Sequence, residues 1–245
     1  MGAERRASVA VGRLSVTESV LPSDPAAPAI LAVDVGGSHV KVVLNGIQER
    51  RSFVSGKRLG PAAMVTRVLE LTSDWSPVGI TVGVPAMVSG GRVVHEPVNL
   101  GSGWVGFDFA AAFGRPVKVV NDAAMQALGS YEGGRMLFLG LGTGLGSTMI
   151  VDGILEPMEL GHLPFRRQTY EDYVGERGLE RLGKKRWREA VLETIATLVA
   201  ALEPEYVVLG GGNVRLLHDL PDNVRLGHNE AAFLGGFRLW HEPAA

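Results

Sequence analysis

The sequence predicts an α/β protein built from two related lobes, and three observations predict it. Short apolar strands alternate with amphipathic helices, the same succession of elements occurs twice, and glycine gathers in loops at strand ends. Glycine accounts for 33 of 245 residues, well above the roughly 7% of an average protein. Loops of this kind are where α/β proteins carry their function.

Composition narrows the class. A chain of 245 residues has length for one large domain or two small lobes, each with a real core. With 46% hydrophobic and 20% charged residues it is an ordinary soluble globular composition. A net charge of −2 gives no basic excess, so nucleic acid is not expected as the main partner. No apolar run approaches the roughly 18 residues of a membrane span, so no membrane association is expected. The absence of cysteine excludes disulfides and thiolate metal sites and fits a cytoplasmic protein. Residues 1–28 read as a flexible tail: Val9-Ala10-Val11 is cut short by Gly12 and Arg13, and Pro22, Pro25 and Pro28 come after them.

The elements run in order. Ile30 to Val35 and Val40 to Leu44 are strands joined by Gly36-Gly37-Ser38-His39, a hairpin-type connection. Ala62 to Trp75 places Met64, Val65, Val68, Leu69 and Leu71 on one helical face. Val78 to Val84 is a buried strand closed by Pro85, and Phe107 to Phe113 a short helix stopped at Gly114. Val117 to Val120 is a strand ending on Asn121-Asp122, with a helix starting at Ala123. Met136 to Leu141 and Ser147 to Val151 form a second hairpin. Tyr170 to Leu182 and Arg186 to Leu202 are helices, Tyr206 to Leu209 a strand, and Asn229 to Trp240 a last helix. The two lobes are expected to divide near Asp122, as 29–122 and 123–228.

Two glycine loops suit phosphate. In Asp34-Val35-Gly36-Gly37-Ser38 the glycines have a plain reading, a turn needing positive φ, but that leaves Asp34 at the end of a buried strand unexplained. The functional reading points backbone N–H groups at phosphate oxygens and lets Asp34 hold magnesium through water. Lys41, on the next strand, either helps neutralise phosphate or is simply solvated. Gly142-Thr143-Gly144 repeats the pattern. It lacks the dinucleotide fingerprint, since Leu145 replaces the third glycine and the loop leads into a strand, not a helix. Gly178 to Lys185 approaches a P-loop but has no final Ser or Thr and lies in a helical pattern.

Asn121-Asp122 lies between these loops. One of the pair can cap the helix beyond it, and capping needs only one. A hydroxyl nucleophile needs a base, and a carboxylate in Asp122's position supplies one. Phosphoryl transfer otherwise rests on positioning and charge neutralisation. Glu159 and His162 stand three residues apart in a loop, better matched to sugar hydroxyls than to a metal. Glu171 either joins them or is a favourable first-turn charge.

Taken in order, DVGGSHVK, GVPAMVSGGRVV with Val98-Asn99-Leu100, VVNDA, LGLGTGLGS, ELGH, EDYVGERGL and VVLGGG resemble the motifs of the ROK sugar kinases, from Ala32 to about Phe237. The resemblance implies a two-lobed actin-like (ribonuclease H-like) sugar-kinase fold with an interlobe cleft. It implies a hexose kinase, most nearly a glucokinase, with Asp122 as general base. Asn99, Asn121, Asp122, Glu159, His162 and Glu171 are then the sugar-binding set. Asp34, Gly36, Gly37, Ser38, Lys41, Gly142, Thr143 and Gly144 are the phosphate-binding set, and Gly211 and Gly212 pack against a nucleotide. It further implies a magnesium cofactor, a homodimer, and a C-terminal segment, 229–245, returning to the first lobe.

The chain departs from the family pattern in two respects, one of them a short interval from Gly212 to Asn229 that would trim the adenosine pocket. Typical ROK members carry a cysteine-rich zinc motif between the positions of His162 and Glu171, and here LPFRRQTY stands instead. No zinc is expected, and the layout looks like the polyphosphate glucokinase branch, whose donor is polyphosphate alongside or instead of ATP. Arg166, Arg167, Arg177, Arg181, Lys184, Lys185, Arg186 and Arg188 are either a guide for that polyanion or a solvated helix face. The other function class open to such a chain is a non-catalytic ROK-type sugar-binding or sugar-sensing protein. A transcription factor of that kind needs a helix-turn-helix arm larger than the 28-residue tail.

Overall fold

The computed structural model describes residues 28–228 and 230–240. The expected tail therefore lies outside the described residues, apart from Pro28, as does Asn229. In chain order the strands are β1 Ile30–Val35, β2 His39–Leu44, β3 Arg50–Val54, β4 Gly79–Val84, β5 Val88–Ser89, β6 Arg92–Val93 and β7 Val117–Asn121. They continue as β8 Arg135–Leu141, β9 Leu145–Val151, β10 Ile154–Met158, β11 Pro164–Phe165, β12 Gln168–Thr169, β13 Tyr206–Gly210 and β14 Val224–Leu226. The helices are α1 Pro61–Leu71, α2 Phe109–Phe113, α3 Asp122–Ser130, α4 Tyr170–Val174, α5 Glu176–Leu202 and α6 Ala231–Arg238.

Two compact units result, one of residues 28–129 with 230–240 and the other of 130–228. Each holds a five-stranded sheet, β3-β2-β1-β4-β7 in the first and β10-β9-β8-β13-β14 in the second. In both, an antiparallel three-strand meander continues into two parallel strands. The same topological plan is thus used twice, as the repeated order of elements implies.

Burial explains the apolar runs. In β1, Leu31, Val33 and Val35 pack with Met64, Val65 and Val68 of α1. Ile30 and Ala32, pointing the other way, meet Phe233 and Phe237 of α6. A strand covered on both faces must be apolar throughout, and all six residues of β4 are buried. In the second unit Leu137, Leu139 and Leu141 of β8 pack with Trp187, Val191 and Ile195 of α5. Pro61 opens α1 at a position where its missing N–H costs nothing.

The units part after Gly129, beyond the split expected at Asp122. The reason is the packing of α3, whose Gly129 lies against the main chain of Ala231 and Gly235 in α6. Of the two helices expected over residues 170–202, the first is divided at Gly175, between α4 and α5, while the expected gap between Leu182 and Arg186 corresponds to a backbone break at Gly183 (φ 73°, ψ 163°) inside α5. The latter glycine lies inside the P-loop-like stretch, which is helical on both sides. Among the described residues no helix is long and apolar enough to cross a membrane.

Candidate active site

In the first unit, the carboxyl ends of three parallel strands collect the candidate residues. Asp34 of β1 is in register with Gly83 of β4, and Gly83 with Val120 of β7, one residue before Asn121. A side chain on Gly83 would lie 3.5 Å from the Asp122 Cα. Asn121 accepts from the Ala124 N–H through Oδ1 (3.0 Å) and donates from Nδ2 to the Ala86 carbonyl (3.2 Å). It is therefore the cap of α3. The Asp122 Oδ1 accepts from the N–H of Ala123 (2.8 Å). Of the two side chains, capping explains Asn121.

The loop after β1 is folded by its neighbours. Gly36 N–H donates to the His39 carbonyl (2.9 Å), while Ser55 donates to the carbonyls of Ser38 through its N–H (2.9 Å) and of Gly36 through Oγ (2.6 Å). Positive φ is not why Gly36 and Gly37 are glycine, contrary to the plain reading of this turn. Space is the reason: a Cβ would lie 3.0 Å from the His39 carbonyl oxygen at Gly36, and 3.2 Å from the Asn99 Cβ at Gly37. Asn99 is thus packed directly on this loop.

Asp34 has a side chain only 14% exposed, and its Oδ2 lies 3.7 Å from Lys41 Nζ across the β1–β2 pair. Burial pushes its carboxyl above the ordinary value, and the Lys41 ammonium opposes that shift. Lys41, half exposed, serves Asp34 as counter-ion.

In the second unit the β8–β9 turn is held by main-chain bonds. Gly142 N–H donates to the Gly144 carbonyl (3.2 Å), and the carbonyls of Gly142 and Thr143 accept from Glu176 N–H at the start of α5 (3.0 and 3.2 Å). Asn213 Nδ2 also donates to the Gly142 carbonyl (3.4 Å). Gly142 has ordinary φ and nothing within 4 Å of where a side chain would stand. Neither strain nor crowding explains that glycine.

Glu171, Gly144 and Gly161 come together. A Cβ on Gly144 would lie 2.5 Å from Glu171 Oε2, and one on Gly161 3.5 Å from Glu171 Cβ. Glu171 is also 3.7 Å from Arg177. Glu159 precedes a 3₁₀ turn, Leu160–His162, and its Oε2 is 3.9 Å from His162 Nδ1, both side chains exposed. Ser147 anchors this turn, accepting from Leu160 N–H (3.1 Å) and donating to the Met158 carbonyl (2.8 Å). Gly211, at φ 88°, has no room for a side chain beside the Leu141 main chain, while Gly212 is open.

Several cations of the basic stretch are engaged. Arg166 pairs with Glu193, Arg177 with Glu171 and Asp172, and Arg188 lies against His218. Arg181 donates to the Asp172 carbonyl and covers the Tyr173 ring.

The residues that sequence reasoning missed are supports. Glu96, Asn213 and Ser147 hold loops. Each stands within or beside a motif: Ser147 ends LGLGTGLGS, Asn213 follows the triple glycine, and Glu96 stands two residues before Val98-Asn99-Leu100.

No family model matches the chain. It is 28% identical over 204 residues to the polyphosphate glucokinase of Mycobacterium tuberculosis, covering 74% of this chain and 76% of that protein. Its fold matches the crystal structure of an inorganic polyphosphate/ATP-glucomannokinase from Arthrobacter sp. strain KM, with a TM-score of 0.75, 24% identity and coverage of 87% and 100% of the two chains. A ROK family glucokinase from Streptomyces griseus, solved with glucose and AMPPNP, matches with a TM-score of 0.68 and 15% identity over 86% and 98%. The resemblance read from the motifs is thus found again in a sequence match over about three quarters of the chain and in the fold.

Proposed function

We propose that this chain, which has the fold of the ROK sugar kinases, is a hexose kinase that phosphorylates the 6-hydroxyl of glucose from polyphosphate or ATP. The observation that carries the reading lies within the first unit. Asp34 and Asp122 sit at the carboxyl ends of β1 and β7 with Gly83 of β4 between them, where open α/β sheets bind ligands. Two strand spacings, roughly 10 Å, separate β1 from β7, room for a hydroxyl and a terminal phosphoryl group.

Asp122 takes the hydroxyl proton as the sugar oxygen attacks phosphorus. The new O–P bond forms while the bond to the leaving phosphate oxygen breaks, and that oxygen departs with the electron pair. Asn99, Asn121, Glu159, His162 and Glu171 are assigned to the sugar. Gly36, Gly37 and Ser38 in one unit and Gly142, Thr143 and Gly144 in the other are assigned to phosphate, with Gly211 and Gly212 beside a nucleotide.

The residues fit magnesium carried by the phosphates. That ion usually takes one or two carboxylates and fills its sphere with phosphate and water. Asp34 offers one, and the described residues hold no group of three or more His, Cys, Asp or Glu suited to an all-protein site. When bound, the ion would neutralise phosphate charge. The cytoplasmic setting and the homodimer belong to this proposal.

Purified protein should phosphorylate glucose in the presence of magnesium. Asp122→Asn should lower turnover on the order of 10²–10⁴-fold while calorimetry still detects glucose binding. Turnover retained in the variant would remove Asp122 from the role of base.

A further inference from the structure

Glu96 is exposed, yet its carboxylate accepts three backbone hydrogen bonds. Oε1 accepts from the N–H groups of Gly103 (3.1 Å) and Val105 (3.4 Å), and Oε2 from that of Trp104 (3.1 Å). Gly103 has φ 94°, a left-handed conformation that turns successive N–H groups toward one anion. These bonds hold the carboxyl below the usual carboxylate range, the Trp104 N–H contributing most, so it is charged at neutral pH. Trp104 itself is completely buried and packs near the Phe109 ring, 6.2 Å between centroids. Glu96 therefore closes the neck of a loop whose far side is anchored in the core.

The loop between carries Asn99. Its other fixed point is Gly101, whose N–H donates to the Leu59 carbonyl (3.0 Å) and where a Cβ would strike the main chain of residues 58–60. Asn99 stands between the Glu96 neck and the Gly101 pin, with its Cβ against Gly37. Its contact with Gly37 is one of packing, so the position of its amide is set by the loop that carries it.

We infer that Glu96 is a positioning residue: by closing this loop it holds Asn99 against the first glycine loop, where Asn99 meets the sugar. The inference rests on the hexose-kinase reading. Glu96 is assigned to neither sugar nor phosphate, and its three acceptor bonds leave the carboxylate committed to the neck. Exchange of one oxygen for an amide turns an acceptor into a donor facing backbone N–H groups, which opens the neck without changing side-chain size.

The test is a double-mutant cycle on glucose KM with Glu96→Gln, Asn99→Ala and both together, with thermal melts of each. Each single variant should raise KM on the order of tenfold with a smaller effect on kcat, and the double variant should be no worse than Asn99→Ala alone. Glu96→Asp, which keeps the charge, should recover part of the loss. Additive effects would overturn the inference, as would an unchanged KM in Glu96→Gln where Asn99→Ala is impaired. A Glu96→Gln variant that melts much earlier and loses kcat with KM unchanged would make Glu96 merely structural, and overturn it too. If Asn99→Ala leaves KM unchanged in an active enzyme, Asn99 is not a sugar contact and the inference falls alone. A wild type silent on glucose fails the hexose-kinase reading itself, and the inference with it.

Discussion

Asp34 shows at the scale of one residue how a site works against stability. Its carboxyl is raised by burial more than Lys41 restores it, so the folded chain keeps this proton to higher pH than the unfolded chain does. Stability through this group is therefore fully present below the unfolded pKa and is lost as pH rises through the folded one. Asp34→Asn removes the charge that is costly to bury, and the half-exposed Lys41 is left to solvent at little cost. The variant should melt at the same temperature as wild type in acid and at a higher temperature at neutral pH, while losing turnover. Melting curves across that range, without magnesium or nucleotide, check it, and a gap that stays constant with pH would refute the burial argument. Asp34 stood out in the sequence because a carboxylate ended an apolar strand. Its neighbours were less legible: that Gly37 is small because Asn99 lies on it depends on residues about sixty positions apart, which no local pattern reports.

At the scale of elements, β1, β2, β4, β7, β8, β9, β13 and most helices were readable because burial writes apolar runs, whereas the partly exposed edge strands β3, β10 and β14 were not. Breaks were legible in part. The one at Gly183 falls in the gap expected between Leu182 and Arg186, whereas the one at Gly175 divides a stretch read as a single helix, and only its backbone geometry reveals it. The assignment of α3 to the first unit was hidden for a similar reason, since it depends on two glycines meeting across helices. A Cβ on Gly129 would fall 1.7 Å from the Ala231 carbonyl oxygen, and one on Gly235 1.8 Å from that of Met125. Arg238 adds bonds to the carbonyls of Leu128 and Gly129 (2.7 and 3.2 Å), satisfying the last turn of α3. Gly129→Ala must push α6 away, at a cost of about 3 kcal/mol. Because α3 begins at Asp122, turnover should fall with stability. Gly129→Ala combined with Gly235→Ala should cost less than the sum, since either alone opens the same crossing. Denaturant titration of the three variants decides this, and simple additivity would mean that the two contacts are independent.

At the scale of the whole molecule, one sheet plan is used in both units, and they differ in the connection that leaves the fourth strand in each sheet's order. After β4 the first unit reaches β7 through the β5–β6 hairpin and α2, whereas after β13 the second reaches β14 with only a 3₁₀ turn, Gly212–Leu216. The repeat was legible from element order, and the shortness of the second connection from the interval between Gly212 and Asn229. That shortness bears on the donor. An adenosine needs walls around a flat base, whereas a polyphosphate needs only cations and N–H groups along its path. Gly212 is open and begins a short, partly exposed turn, while Lys184 and Lys185 directly beyond the Gly183 break are both exposed. Polyphosphate should therefore be the better donor, with a higher kcat/KM than ATP and an advantage that shrinks as salt screens the chain's charge. Steady-state kinetics with glucose and each donor at low and high ionic strength test this. Equal use of ATP, or a polyphosphate rate indifferent to salt, would return the basic stretch to a solvated helix face and give the donor site to the nucleotide.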